Sequence, residues 1–144
     1  MQTHIQKFTQ LSTRKLHQIY KLRVDVFVVE QQCPYHEIDD IDLESYHIYI
    51  QDDQSKILSY CRLYKQDGEY HIGRVISSVR RTGYGTQIMK TAIQFAMDSL
   101  KVNSIIIEAQ TYAIEFYEKL GFVEISEPFE EDGIEHVRMK YSTK

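Results

Sequence analysis

Residues 72–89 constrain this chain more than any other stretch. They read as a strand, then a basic glycine turn, then a helix. His71-Ile72-Gly73-Arg74-Val75-Ile76 has the make-up of an extended, half-buried segment. Ser77-Ser78-Val79 leads into Arg80-Arg81-Thr82-Gly83-Tyr84-Gly85-Thr86. Ile88, Met89, Ala92, Ile93 and Ala96 then recur at helical spacing, which predicts a helix over about 83–99. A glycine-rich turn that opens a helix presents unpaired amides and the positive end of the helix dipole, so it is a place to hold an anion. Gly83 and Gly85 let the backbone come close to a ligand. Arg80 and Arg81 add guanidinium forks suited to phosphate.

Spacing tests which anion this could be. A nucleotide P-loop needs a lysine after its last glycine, and none follows Gly85. A dinucleotide fingerprint needs a third glycine where Ile88 stands. Glu108, at the end of the next apolar run, would mimic the ribose-binding acid of that motif, but 144 residues leave little room for two nucleotide-binding halves. Arg80-Arg81-Thr82-Gly83-Tyr84-Gly85 fits R/Q-x-x-G-x-G/A, the pyrophosphate turn of acetyl-CoA transferases, at every fixed position. Six residues alone also allow a basic glycine turn with no ligand.

Charge and length narrow the class. The 17 basic residues against 21 acidic ones give a net charge of −4, so no overall basic field draws the chain to nucleic acid or an anionic membrane. No apolar run approaches the ~18 residues of a membrane span. The first residues carry no secretory apolar core, so a soluble, cytoplasmic protein is expected. Cys33 and Cys61 form no C-x-x-C and read as buried, reduced thiols. No metal is expected.

The order of elements follows from the punctuation. Residues 2–8 suggest a short strand. Ser12 or Thr13 can cap a helix whose stripe runs Leu16, Ile19, Tyr20, Arg23, Val26, Phe27 to about Glu30, with a break possible in the β-branched run 26–29. The acidic stretch holding Glu37, Asp39, Asp40, Asp42 and Glu44 lacks EF-hand spacing. It reads as a solvated loop, or as a rim that attracts a cationic amine. Strands over 46–50, 57–64 and 70–76, separated by short turns, predict antiparallel hairpins. After the central helix come a compact apolar strand over 104–109 and a short helix over 112–120. Two last strands, 122–127 and 135–141, are joined through Pro128 and Asp132-Gly133. The expected class is α/β (α+β): a mixed, mostly antiparallel sheet of about six to seven strands flanked by helices.

These residues also carry a family likeness. The Arg80–Gly85 turn, the strand order and Phe116-Tyr117-Glu118-Lys119-Leu120-Gly121-Phe122 resemble the GNAT superfamily of acetyl-CoA-dependent N-acetyltransferases. Leu22-Arg23-Val24-Asp25-Val26-Phe27-Val28-Val29-Glu30-Gln31-Gln32-Cys33-Pro34-Tyr35 resembles the signature of its ElaA-like branch. So does Glu130-Glu131-Asp132-Gly133-Ile134-Glu135-His136. The likeness runs from about residue 22 to 139 and implies a single N-acetyltransferase domain over 1–144. Its sheet would be splayed between strands four and five. Only Ser77-Ser78-Val79 link Ile76 to Arg80, shorter than the family's usual connection, which implies a strand end offset by a residue or two.

The resemblance implies chemistry: direct transfer of acetyl from acetyl-CoA, the co-substrate, to an amine acceptor. Arg80, Arg81, Thr82, Gly83, Tyr84, Gly85 and Thr86 would hold the pyrophosphate. Val75, Ile76 and Ser77 would pair with the pantetheine arm, with Phe116 beside it. A backbone amide near Val75 or Ile76 would meet the oxyanion. Tyr117 would donate a proton to the departing thiolate. For the base, Glu30, His136 and Glu108 are the candidates; His47 and His71 also titrate in range, and Cys33 as an acyl-carrying nucleophile has no basic partner nearby. Two rivals remain: a non-catalytic acetyl-CoA-binding sensor, and an interaction domain that docks partners through residues 37–44.

Overall fold

The structure, a computed structural model, describes residues 1–78 and 83–143. Its strands are β1 (Gln2–Lys7), β2 (Tyr46–Gln51), β3 (Ile57–Gln66), β4 (Glu69–Ser77), β5 (Ser104–Gln110), β6 (Val123–Glu124), β7 (Phe129–Glu131) and β8 (Ile134–Ser142). Its helices are α1 (Thr13–Arg23), α2 (Tyr84–Asp98) and α3 (Ile114–Lys119). The sheet runs β1-β2-β3-β4-β5-β8-β6, with β7 pairing β8. All pairs are antiparallel except β4–β5. The mixed, mostly antiparallel sheet is the expected one, with one strand more than the sequence suggested. That strand, β7, is three residues long and closes on β8 through Asp132-Gly133, both at positive φ. Such a short segment shows no period of its own.

Helices cover both faces. Ile88, Met89, Ala92, Ile93 and Ala96 of α2 are buried against one face with Ile48, Ile50, Cys61 and Leu63. Ile19 of α1 packs on the other face with Tyr49, Tyr60 and Ile76. Alternate residues of β2 and β3 thus feed two cores, as the pleat demands. Ser12 caps α1 by accepting from the Lys15 amide at 3.0 Å. At Val24 the α-helix gives way to π-helical turns through Glu30, the break allowed for in the valine-rich run. Widened turns of this kind are rare and gather at functional sites.

The acidic loop departs most from expectation. It is not a solvated loop: Glu37 and Asp42 are buried, and with Asp39 they close a ring of ion pairs with three arginines. Arg23 Nε meets Glu37 Oε2 at 2.8 Å, and the Arg23 fork grips Asp42 at 2.6 and 3.1 Å. Arg62 bridges Asp42 at 3.0 Å and grips Asp39 at 2.7 and 3.1 Å. Arg74 Nε returns to Glu37 Oε2 at 2.7 Å and its terminal nitrogen lies 3.5 Å from Asp39. Burial works against the Asp39 carboxylate, but the surrounding guanidiniums outweigh it and hold the carboxyl below its usual range. Behind the ring, the His47 ring donates from Nε2 to the Asp42 carbonyl at 2.9 Å and accepts at Nδ1 from Tyr60 at 2.7 Å.

Arg23→Ala should leave Glu37 and Asp42 with one arginine each and break the buried ring, at a cost of about 3–5 kcal/mol, read as the loss of unfolding free energy in urea. Burial holds the His47 imidazole below its usual range, against the pull of Asp42. A base depressed by folding stabilises fully above its unfolded value of about 6.5, and that contribution fades as pH falls toward the folded value. Unfolding free energy should therefore drop as pH is lowered from about 7.5 to 5, and His47→Gln should flatten that slope in a pH series of urea melts.

Candidate active site

β4 and β5 share one register pair, His71 with Ile106, near the start of both strands. From there to their C-terminal ends no pair among the described residues joins them, so the sheet splays as expected. A cleft of about 480 Å³ opens in this region. The carboxyl ends of parallel strands are the usual binding place in sheets of this kind. Val75, Glu108, Tyr117 and His136 all line this cleft, as do His71 and Cys33, so it gathers six residues that the sequence singled out.

β4 itself is distorted at the cleft wall. Arg62 pairs with Gly73 and Tyr60 pairs with Ile76, which leaves Arg74 and Val75 opposite the single residue Cys61. This is a β-bulge, which breaks the ladder locally and re-aims the strand. Arg74 sits at φ 52° within it. A non-glycine residue there carries about 1–2 kcal/mol of backbone strain. Arg74 escaped the sequence reading. The signal was Gly73, since an isolated glycine inside a strand pattern marks a bulge or a close backbone approach. Ile76, by contrast, turns its side chain into the α1-side core.

Tyr117 lies half-buried between Phe116 and Phe122, edge to face with both rings at 5.0 and 6.0 Å. Burial raises its hydroxyl well above the ordinary phenol range, and the nearby Tyr112 adds to this. The group is thus a proton donor across the neutral range, never a base. His136 donates from Nδ1 to the Ile134 carbonyl at 2.7 Å, which leaves Nε2 of the neutral ring with its lone pair. Glu131 Oε2 stands 3.9 Å from that Nε2. Glu131 was not singled out in the sequence. Register decides it: Phe129 pairs His136 and Glu131 pairs Ile134, so Glu131 shares the His136 side while Glu130 faces away. Burial, then the charge of Glu108, raises the Glu131 carboxyl.

The other base candidates fare differently. Glu108 is held by Arg138 at 2.9 Å. Glu30 is exposed at the end of the π-helical turns and does not line the cleft. His47 is locked behind the ion-pair ring, and His71 stacks flat on Tyr64 at 5.3 Å. Cys33 is buried and donates its thiol to the Asp132 carbonyl at 3.1 Å. Among the described residues no group of three or more His, Cys, Asp or Glu side chains is placed to hold a metal.

The second part of the site is the start of α2. Arg80, Arg81 and Thr82 lie outside the described residues. Gly83 takes the cap position at φ 83°, ψ 0°, a left-handed conformation, and no side chain among the described residues caps the helix. The first-turn amides of Tyr84, Gly85 and Thr86 have no acceptor within α2 and point out of its N-terminal end. A Cβ built on Gly85 would lie 3.6 Å from Phe116 and 3.7 Å from Ser77. So Ser77, Gly85 and Phe116 meet at one point. Val75 and Ser77 on β4, and Phe116 and Tyr117 on α3, tie this helix start to the cleft. The left-handed glycine and the helix amides that follow it are the kind of arrangement that favours an anion.

Comparison with known proteins agrees with this geometry. Residues 12–143 match the family model described as an acetyltransferase (GNAT) domain. ElaA of Escherichia coli is 34% identical over 137 residues, covering 91% of this chain and 90% of ElaA. A UPF0039 protein of Schizosaccharomyces pombe is 36% identical over 137 residues, covering 92% and 91%. Among solved structures, an acyl-CoA N-acyltransferase from Pseudomonas aeruginosa superposes with a TM-score of 0.91 at 33% identity, over 99% of this chain and 100% of that one.

The two glycines should respond differently. Gly83→Ala puts a side chain on a left-handed residue and should cost about 1–2 kcal/mol. At Gly85 the new Cβ makes only ordinary contacts, so Gly85→Ala should leave stability unchanged or raise it by up to about 1 kcal/mol. Urea denaturation of both variants without ligand checks the contrast.

Proposed function

Because the chain belongs to the GNAT acetyltransferase family, we propose that it moves an acetyl group from acetyl-CoA to an amine by direct attack in a ternary complex. The observation that carries this reading is the convergence of Tyr117, His136 and the bulged Val75 on one cleft near a glycine-opened helix start. In this reading the α2 amides hold the diphosphate, with the arginines and threonine that precede Gly83. The pantetheine arm lies along β4 from Val75 to Ser77. The amide of Val75 at the bulge meets the carbonyl oxygen as it gains charge.

The proton path follows from the two polar groups on the cleft. His136 Nε2 takes the proton from the incoming ammonium, and Glu131 steadies the resulting imidazolium. The free amine then attacks the thioester carbon, and the carbon–sulfur bond breaks with its electron pair on sulfur. Tyr117 donates to that thiolate, and the second proton that the nitrogen loses as the amide forms returns to Tyr117 through solvent in the cleft. Burial raises the Tyr117 phenol, so it reaches the thiolate protonated. The acceptor is an amine that can enter beside Glu131 and Glu108; polyamines, lysyl peptides and aminoglycosides are the compounds to screen.

Acetyl-CoA at about 100 times its dissociation constant should stabilise the protein by about 2.7 kcal/mol, read as a thermal shift. Thiol release with an amine panel should then show turnover. Tyr117→Phe should keep the thermal shift and lower turnover at least about tenfold, equivalent to about 1.4 kcal/mol in the barrier. Unchanged turnover in that variant removes Tyr117 from the reaction. A shift without thiol release from any amine marks a binding module instead.

A further inference from the structure

The bulge raises a question that its position alone does not answer. Six non-glycine residues among those described have positive φ: Gln32, Ser55, Asp67, Arg74, Lys101 and Asp132. All but Arg74 lie in turns or loops, whereas Arg74 lies inside a strand. Glycine is available next door at Gly73, yet the left-handed position falls to an arginine. Strained backbone of this kind persists only where the surroundings over-determine it.

The surroundings here are the ion-pair ring. Arg74 Nε reaches Glu37 Oε2 at 2.7 Å, and its terminal nitrogen reaches the Glu37 carbonyl at 3.2 Å. Its guanidinium lies 5.6 Å from the centre of the Tyr35 ring. Glu37 has no freedom to give. Its Oε2 is shared with Arg23 at 2.8 Å, its Oε1 accepts from the Tyr35 hydroxyl, and its side chain is 2% exposed. Arg23 in turn is fully buried and forked onto Asp42. The chain of contacts runs from the core of α1 through the loop to the one strained residue of β4.

We propose that Arg74 is a positioning residue: clamped by Glu37, it holds the β4 bulge in the left-handed conformation and so sets where the Val75 backbone meets the reacting carbonyl. The clamp acts on rate more than on coenzyme binding, because the helix start that suits the diphosphate meets β4 at Ser77, three residues beyond Arg74. This rests on the acyl-transfer reading above, and the test separates the two.

Two substitutions remove the same side chain but differ in backbone freedom. Arg74→Ala loses the clamp and still pays the left-handed strain, so the bulge relaxes. Arg74→Gly loses the clamp with no such strain, so the flanking register keeps the bulge. Arg23 still neutralises Glu37 in both. The measurements are the Val75 amide resonance in nitrogen–proton spectra of the free protein and thiol release from acetyl-CoA. The amine in that assay is an equimolar mixture of spermidine, a lysyl peptide and an aminoglycoside. Arg74→Ala should move the Val75 amide and lower kcat at least about tenfold, with KM for acetyl-CoA within about threefold of the parent. Arg74→Gly should leave the Val75 amide near its parent position and recover kcat to within about threefold. The proposal is overturned if Arg74→Ala leaves both readouts unchanged, or if Arg74→Gly is as slow and as shifted as Arg74→Ala. If the parent protein releases no thiol, the acyl-transfer reading falls while the Val75 amide still decides the clamp.

Discussion

A closed ring of buried charge is the interaction on which the rest of this structure depends. Arg23 comes from α1, Arg62 from β3 and Arg74 from β4, while Glu37, Asp39 and Asp42 come from one short loop. Formal charges cancel around the ring. Taking six charges from water is costly, and the guanidinium forks offset that cost only because nearly every lone pair is matched. Such an arrangement tolerates one geometry. It adds little to stability compared with an apolar core of equal volume, but it makes any other placement of the loop expensive. The loop has little regular structure of its own, and charge does for it what a hydrophobic stripe does for a helix.

The cleft depends on a second constraint, the failure of β4 and β5 to stay paired. A parallel pair joined by α2 starts in register at His71 and Ile106 and then parts. The parted edge of β4 carries the bulge, and the ring stands directly behind that bulge. On the other side, β8 brings His136 to the cleft and α3 brings Tyr117. An imidazole and a phenol therefore reach one space from a strand and a helix, each held by local contacts: His136 by the Ile134 carbonyl, Tyr117 by two aromatic rings.

Much of this was legible in the residues. The three hairpin strands, the helix over 84–98 and the glycine cap at its start follow from alternation, helical spacing and turn chemistry, which act over a few residues. Even the placement of Arg23 in the apolar stripe of α1 was correct as a statement about burial. The acidic loop was misread because charge looks solvated until its partners are known, and those partners sit 14 to 37 residues away. β7 was missed because three residues show no period. Glu131 could not be chosen over Glu130 without the hairpin register, and Glu30 could not be set aside until α1 was seen to end in π-helical turns that leave it outside the cleft.

The sequence by itself determined the element order, the glycine-opened start of α2 and the family to which the chain belongs, because each is written in contiguous residues whose spacing carries the physics. Only the tertiary structure decided which carboxylates are spent on arginines and which face the cleft, and which strand residue takes the left-handed bend. Those outcomes depend on distances between side chains brought together by folding, and a charge reveals its role only through the partner that neutralises it.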